Sequence, residues 1–317
     1  GDTLLCIDLN PKMTEAEFTD LRRRKLAGLR LVLVVYDLLP MLRPDCFPAG
    51  IVEVSAWYER MLSMADHAIC ISRAVADELC DWLDTAEMVR DRPLPVDYFH
   101  LAGDFKGESA TGEPPGSVLA AMSCTARRPT FLMTGTLEPR KGYRQAVAAF
   151  EQLWAEGVDV GLLIVGKEGW QMSDLAEHLR THPYLGGRLH WLEGVRDVDL
   201  RRLYGMSHCL LMASEGEGFG LPLVEAAQTS LPILARDLPV FQEVAGENAM
   251  YFSGLRPEDL AAALGRWLEA REKDEVPSSA RIRTQDWDGT VRQLLDRLDA
   301  KQPYRLWAKG AAPAGPA

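Results

Sequence analysis

The stretch EGEGFGLPLVE (215–225) decides how this chain reads. It sets two glycines around a phenylalanine, adds a proline, and then starts an apolar helical pattern. The preceding HCLLMAS (208–214) reads as a buried strand and the run from Leu223 as a helix, so the glycines fall in a strand-to-helix connection. Such a connection is where a parallel α/β sheet offers backbone N–H groups and a helix N-terminus to an anion or a polyhydroxylated ligand. Two carboxylates flank it, Glu217 in the loop and Glu225 in the helix. Ionised carboxylates only accept hydrogen bonds, which suits them to ligand hydroxyls.

Strand and helix patterns alternate outward from this point. PTFLMTGT (129–136), GLLIVG (161–166), LHWLEG (189–194), HCLLMAS and PILAR (232–236) are strand-like, and amphipathic helical segments separate them. The first half shows the same alternation with fewer strands: LLCIDL (4–9), LVLVVYD (31–37) and HAICIS (67–72). The Gly/Pro/Ser-rich stretch 101–117 is the best linker candidate, and the Ala/Gly/Pro-rich tail 308–317 reads as frayed. The expected organisation is α/β, with two Rossmann-like domains at 1–125 and 126–285 and a C-terminal helix and tail at 286–317, the helix packing back on the first domain. The chain begins with Gly1 and its first half is poor in strands. A missing N-terminal segment, within a longer multidomain polypeptide, is therefore expected.

At 317 residues, 47% hydrophobic and 26% charged, the chain has a globular composition and room for two cores. No apolar run reaches the roughly 18 residues of a membrane span, and no signal peptide is evident at the start. Six scattered cysteines form no C-x-x-C pair, which argues against a disulfide framework or zinc site and for the cytoplasm. A net charge of −11 argues against a nucleic-acid partner. The basic run LRRRKLAGLR (21–30) reads either as a solvated helix face or as a peripheral contact with anionic lipid.

In GTLEPRKG (135–142), Arg140 and Lys141 sit just before a helix. Cations are disfavoured beside the positive end of a helix dipole, so a bound diphosphate would offset them. Asp197 and Asp199 imitate a metal-binding D-x-D, but the LRRLY that follows reads better with Asp197 as a helix N-cap and Asp199 in the first turn; no metal is expected. Asp37 ends a strand and either positions a substrate hydroxyl or caps the next turn. Ser72 and Arg73 begin a helix, and none of the six histidines falls in a metal-ligand pattern.

Four blocks in order, GTLEPRKG (135–142), IVGKEGW (164–170), LEGVRDVDLRRLY (192–204) and EGEGFGLPLVEAA (215–227), resemble the donor domain of the retaining GT-B glycosyltransferases of glycosyltransferase family 4. VVYDLLPMLRPDCFP (34–48) and ADHAICISRAVADEL (65–79) resemble its acceptor domain less sharply, with Tyr36 where many relatives carry histidine. The resemblance implies a nucleotide-sugar donor, GDP-mannose first, and a saccharide or lipid-linked saccharide acceptor in bacterial polysaccharide synthesis. It implies that Arg140 and Lys141 hold the departing diphosphate, Glu217 the sugar, and Glu225 the ribose. It further places Gly135, Gly166, Lys167, Val195, Gly218, Phe219, Gly220 and Leu221 around the donor and Asp37 on the acceptor side, with no cofactor. Trp170 reads equally as packing. Two other readings stay open at this point: a donor-binding scaffold domain without transfer activity, and a GT-B-fold sugar-nucleotide epimerase.

Overall fold

The computed structural model describes residues 1–86, 88, 90, 92–103 and 112–308. Its strands are β1 (Thr3–Cys6), β2 (Arg30–Val35), β3 (His67–Cys70), β4 (Leu94–Tyr98), β5 (Thr130–Thr134), β6 (Gly161–Val165), β7 (Leu189–Leu192), β8 (Cys209–Met212), β9 (Ile233–Arg236), β10 (Met250–Phe252) and β11 (Arg305–Trp307). They form two sheets in two compact units: Gly1–Leu101 with the chain from Trp287 onward, and Ala102–Asp286. The helix Gly116–Thr125 thus groups with the second unit, whereas the sequence reading ended the first domain at 125. Within the expected linker, residues 104–111 lie outside the described residues, as do 309–317 of the tail.

The first unit carries the order β1-β2-β3-β4-β11, parallel except for β11. Its β2 is an unbroken apolar run with Leu31–Val35 at most 2% exposed, as expected of a parallel strand covered on both faces. Trp57, Tyr58, Met61 and Leu62 of the helix Val52–Met64 fill the core beside it. Trp307 of β11 is buried in the same core and donates its indole N–H to Asp84 at 2.8 Å. The helix Trp287–Leu298 belongs to this unit and is tied to it by Thr290 Oγ1, which donates to the His100 carbonyl at 3.1 Å.

The second unit is a six-stranded parallel sheet in the order β10-β9-β8-β5-β6-β7. Chain order reverses between β5 and β8, so the carboxyl ends of these two strands form the topological switch point where doubly wound sheets bind ligands. Phe131 on β5 anchors the core, edge-on to Trp267 at 4.8 Å and to Phe150 at 5.6 Å between centroids. Both units are Rossmann-like.

The basic run near residue 21 lies mostly on the helix Glu15–Leu26, and three of its charges pair within the unit. Arg23 and Arg24 both pair with Asp20 at 2.5 and 2.6 Å, and Lys25 pairs with Asp66. Arg22, Arg23 and Arg24 are exposed on that face. No described helix is long and apolar enough to cross a membrane.

Candidate functional site

At the switch point, β5 runs into Gly135 and β8 into the loop that holds Glu217. Gly135 donates its N–H to Val165 and accepts from Tyr143 Oη at 2.7 Å, which pins the end of β5 to the neighbouring strand and to the following helix. At Gly166 a side chain would collide with the Gly135 carbonyl, so the ends of β5 and β6 approach as closely as two backbones can. Gly220 has φ +87° and opens the helix Leu221–Thr229; a Cβ there would lie 2.8 Å from Phe241. That left-handed turn requires glycine and aims the loop 215–220 across the strand ends.

Arg140 and Lys141 lie in a single 3-10 turn, Pro139–Lys141, directly before the helix Tyr143–Ala155. The fold folds them onto carboxylates. Lys141 Nζ lies 2.5 Å from Glu217 Oε1, and Arg140 Nη1 lies 3.1 Å from Glu217 Oε2. Arg140 Nη2 lies 3.0 Å from Glu138 Oε2, and Ser214 Oγ donates to Glu217 Oε1 at 2.8 Å. The backbone closes the same ring, because Glu215 N–H donates to the Arg140 carbonyl at 2.7 Å. Burial alone would raise the Glu217 carboxyl, but Lys141 and Arg140 outweigh it and hold the group below its ordinary range. Glu138 goes the other way: burial raises it, and Glu217 adds to the rise against the pull of the two cations. Four charges of balanced sign therefore sit at a switch point, nearly out of water, where electrostatic interactions are strong.

Glu225 occupies the second turn of the helix Leu221–Thr229 and accepts from Tyr204 Oη at 2.6 Å. Tyr204 is wholly buried, and its oxygen also lies 3.0 Å from Thr134 Oγ1 at the end of β5. Burial raises the Glu225 carboxyl, with the Tyr204 bond opposing. Behind the loop, the 5%-exposed Arg236 donates to the carbonyls of Ala213, Ser214 and Gly254 and to Gln145 Oε1. Burial lowers its pKa, and the ring of carbonyls keeps a cation satisfied there.

Of the residues singled out in sequence, Gly135, Arg140, Lys141, Gly166, Glu217, Gly218, Phe219 and Gly220 lie in the second unit's strand-end connections, and Leu221 and Glu225 in the helix Leu221–Thr229 that follows. Phe219 is buried, Lys167 is exposed, and Trp170 is half-buried. Lys167 accepts through its carbonyl from Leu137 N–H at 2.9 Å, and Val195 follows Gly194 beyond β7. Asp37 belongs to the first unit, where its Oδ1 accepts from Leu39 N–H at 3.0 Å, a capping turn. Ser72 caps the helix Arg73–Thr85 by accepting from Val75 N–H at 3.1 Å.

The structure differs from the sequence reading at two points. The N-cap position of the helix Asp197–Met206 is Arg196, not Asp197, and makes no side-chain capping bond, while the wholly buried Asp199 is clamped by Arg196 at 2.6 Å and Arg202 at 2.9 Å. Two histidines also converge: ligand atoms of Glu151, His178 and His182 lie within 4.8 Å of one another. Tyr184 N–H donates to His182 Nδ1, which leaves the ring proton on Nε2 facing Glu151. Both Nε2 atoms lie on Glu151 Oε1, His178 at 2.6 Å and His182 at 3.1 Å.

Sequence reasoning missed Glu138, Tyr204, Arg236 and Glu78. Glu78, in the first unit, has a buried Oε2 with no hydrogen-bond partner among the described residues. Its pKa is pushed up to about 7 by burial and by Asp37, Asp81 and Asp77. Glu138, Tyr204 and Glu78 fall inside the blocks 135–142, 192–204 and 65–79, but nothing in their local pattern marks them as polar groups that fold into contact with the site or lose their solvent. Only an unusual polar residue within an apolar strand, as with Arg236, could have signalled one.

Two parallel-rich α/β units, the second a doubly wound sheet, are the architecture of a GT-B glycosyltransferase. The family model "Glycosyl transferases group 1" matches residues 125–283, and the chain belongs to that family. It is 40% identical over 305 residues to the serotype-specific mannosyltransferase WbdA of Escherichia coli, which covers 95% of this chain and 37% of WbdA. The chain thus spans little more than a third of that relative. It is also 27% identical over 172 residues to O-antigen chain mannosyltransferase B of Escherichia coli, covering 52% of this chain and 44% of the relative. Among solved structures, Anabaena HepE in complex with UDP and glucose matches with a TM-score of 0.68 at 18% identity, over 94% of this chain and 78% of that one.

Proposed function

We propose that this chain transfers a sugar, with retention at the anomeric carbon, from a nucleoside diphosphate sugar to a saccharide hydroxyl in bacterial polysaccharide synthesis. GDP-mannose is the favoured donor, and the mannosyltransferase names of the relatives support that choice. The observation that carries the reading is the pairing of Arg140 and Lys141 with Glu217 at the switch point.

The donor's diphosphate takes the cation pair and the orphan N–H groups of the helix Tyr143–Ala155. Glu217, already held by Lys141, Arg140 and Ser214, presents a fixed carboxylate to the sugar. As the bond from the anomeric carbon to the phosphate oxygen breaks, negative charge grows on the phosphate and positive charge on the sugar ring. The cations stabilise the first, preorganised in a site largely shielded from water. The acceptor oxygen bonds to the same face of the anomeric carbon, and its proton passes to the departing phosphate. Glu225 accepts from the ribose hydroxyls.

The test is calorimetric binding of GDP-mannose, UDP-glucose, UDP-N-acetylglucosamine and dTDP-rhamnose to this chain and to Lys141→Ala. One donor should bind, and Lys141→Ala should weaken it at least tenfold. Equal binding by the variant would overturn the assignment of the phosphate site, and no binding by the parent would overturn the donor site as a whole.

A further inference from the structure

We infer that Tyr204 is a positioning residue for nucleotide recognition: its buried hydroxyl, itself held by Thr134, fixes Glu225 in the orientation that selects a ribose over a deoxyribose. The inference rests on the donor-site reading and adds to it the device that makes the sugar of the nucleoside matter.

The geometry permits one proton arrangement when Glu225 is ionised. A carboxylate only accepts, and a phenol has a single proton. The Tyr204 proton therefore lies in the 2.6 Å bond to Glu225 Oε2, and the Thr134 hydroxyl donates to Tyr204 Oη across 3.0 Å. Each bond polarises the next, so the chain Thr134–Tyr204–Glu225 is directional. Burial, with the neighbouring Glu225 carboxylate adding to it, holds the Tyr204 phenol well above its ordinary pKa, so it stays a donor.

Three structural elements enforce that chain. Thr134 ends β5, Tyr204 lies in the helix Asp197–Met206 that precedes β8, and Glu225 lies in the helix that follows β8. Tyr204 has no exposed surface, so its ring is locked by packing and its oxygen is a fixed point. A glutamate side chain otherwise samples several rotamers, and freezing them on binding costs affinity. With Oε2 tethered, that ordering is complete before the ligand arrives. Oε1 takes no hydrogen bond from the described residues, and Oε2 keeps a second lone pair. A carboxylate in this state matches two adjacent hydroxyl donors, the pair a ribose has and a 2′-deoxyribose lacks.

The experiment is calorimetric binding of GDP, 2′-deoxy-GDP, UDP and 2′-deoxy-UDP to the parent chain, Tyr204→Phe, Thr134→Val and Glu225→Gln. The parent should prefer the ribonucleotide of whichever base binds by about tenfold, the scale of a lost hydrogen bond to a charged group. Tyr204→Phe should weaken the ribonucleotide about tenfold, leave the deoxynucleotide nearly unchanged, and bring the ratio toward one. Thr134→Val, which leaves both Tyr204 and Glu225 in place, should lower the ratio about threefold. Glu225→Gln should behave like Tyr204→Phe. A general packing defect in Tyr204→Phe would weaken both nucleotides alike and keep the ratio, and that result overturns the inference. Should Tyr204→Phe fail to fold, an unchanged ratio in Thr134→Val overturns it equally. A parent that binds both sugars equally overturns the inference and spares the phosphate site, whereas a parent that binds no nucleotide overturns both.

Discussion

Glu78→Gln should stabilise the first unit at neutral pH, and the size of the effect follows from where the carboxyl sits. Glu78 lies in the helix Arg73–Thr85 with Oε2 buried and without a hydrogen-bond partner among the described residues. Burial first, then Asp37 from the end of β2 and Asp81 and Asp77 from its own helix, push its pKa from an ordinary 4.5 up to about 7. A raised carboxyl pKa means that the unfolded chain releases its proton earlier than the folded one as pH climbs. The contribution of Glu78 to stability is therefore complete below pH 4.5 and is lost between 4.5 and about 7. At about 1.36 kcal/mol per tenfold change in proton affinity, the loss across that window is about 3 kcal/mol. Glutamine has nearly the same shape and does not ionise. The variant should match the parent near pH 4.5 and exceed it by about 2–3 kcal/mol at pH 8. Because two units need not unfold together, the assay is local: hydrogen exchange of the Arg73–Thr85 amides from pH 5 to 8, corrected for intrinsic base catalysis. Parallel pH profiles for variant and parent would refute the reasoning, because they would mean that Glu78 ionises in the folded unit as it does in water.

Two further perturbations probe the second unit. Arg236→Met should lower its stability by about 3 kcal/mol or more in urea unfolding, because the carbonyls of Ala213, Ser214 and Gly254 lose a buried donor; an unchanged midpoint would show that water replaces the guanidinium. Gly166→Ala should push the end of β6 from the Gly135 carbonyl, lowering the melting temperature and weakening nucleotide-sugar binding at least tenfold. Gly265→Ala, mid-helix with open space around it, is the control and should stabilise by about 0.5–1 kcal/mol. Equal melting temperatures for the two alanine variants would contradict the close approach at Gly166.

Much of this site could be read from the chain, for a local reason. The buried strands announce themselves as continuous apolar runs, as LVLVV does in β2 and GLLIV in β6, because parallel strands are covered on both faces. Arg140, Lys141, Glu217 and the glycines of the loop belong to connections of a few residues, whose backbone demands show in the residue types themselves. The start of the helix after β7 was less legible, since its N-cap position falls on Arg196, whose side chain cannot accept from the helix N–H groups, rather than on the neighbouring Asp197.

The amino-acid sequence by itself determined the alternation of strands and helices, the two Rossmann-like units and the glycine-bearing connections at the strand ends, because these depend on periodicity and on short-range backbone constraints. Only the tertiary structure decided which charges meet. Lys141 reaches Glu217 across 76 residues of chain, Tyr204 reaches Glu225 across 21, and Arg236 finds Gln145 across 91. It also decided that Glu78 loses its solvent beside Asp37. Hydrogen bonds and desolvation act over a few ångströms of space and carry no fixed spacing in sequence, so the order of strands in the sheet had to bring these residues together before their chemistry could be read.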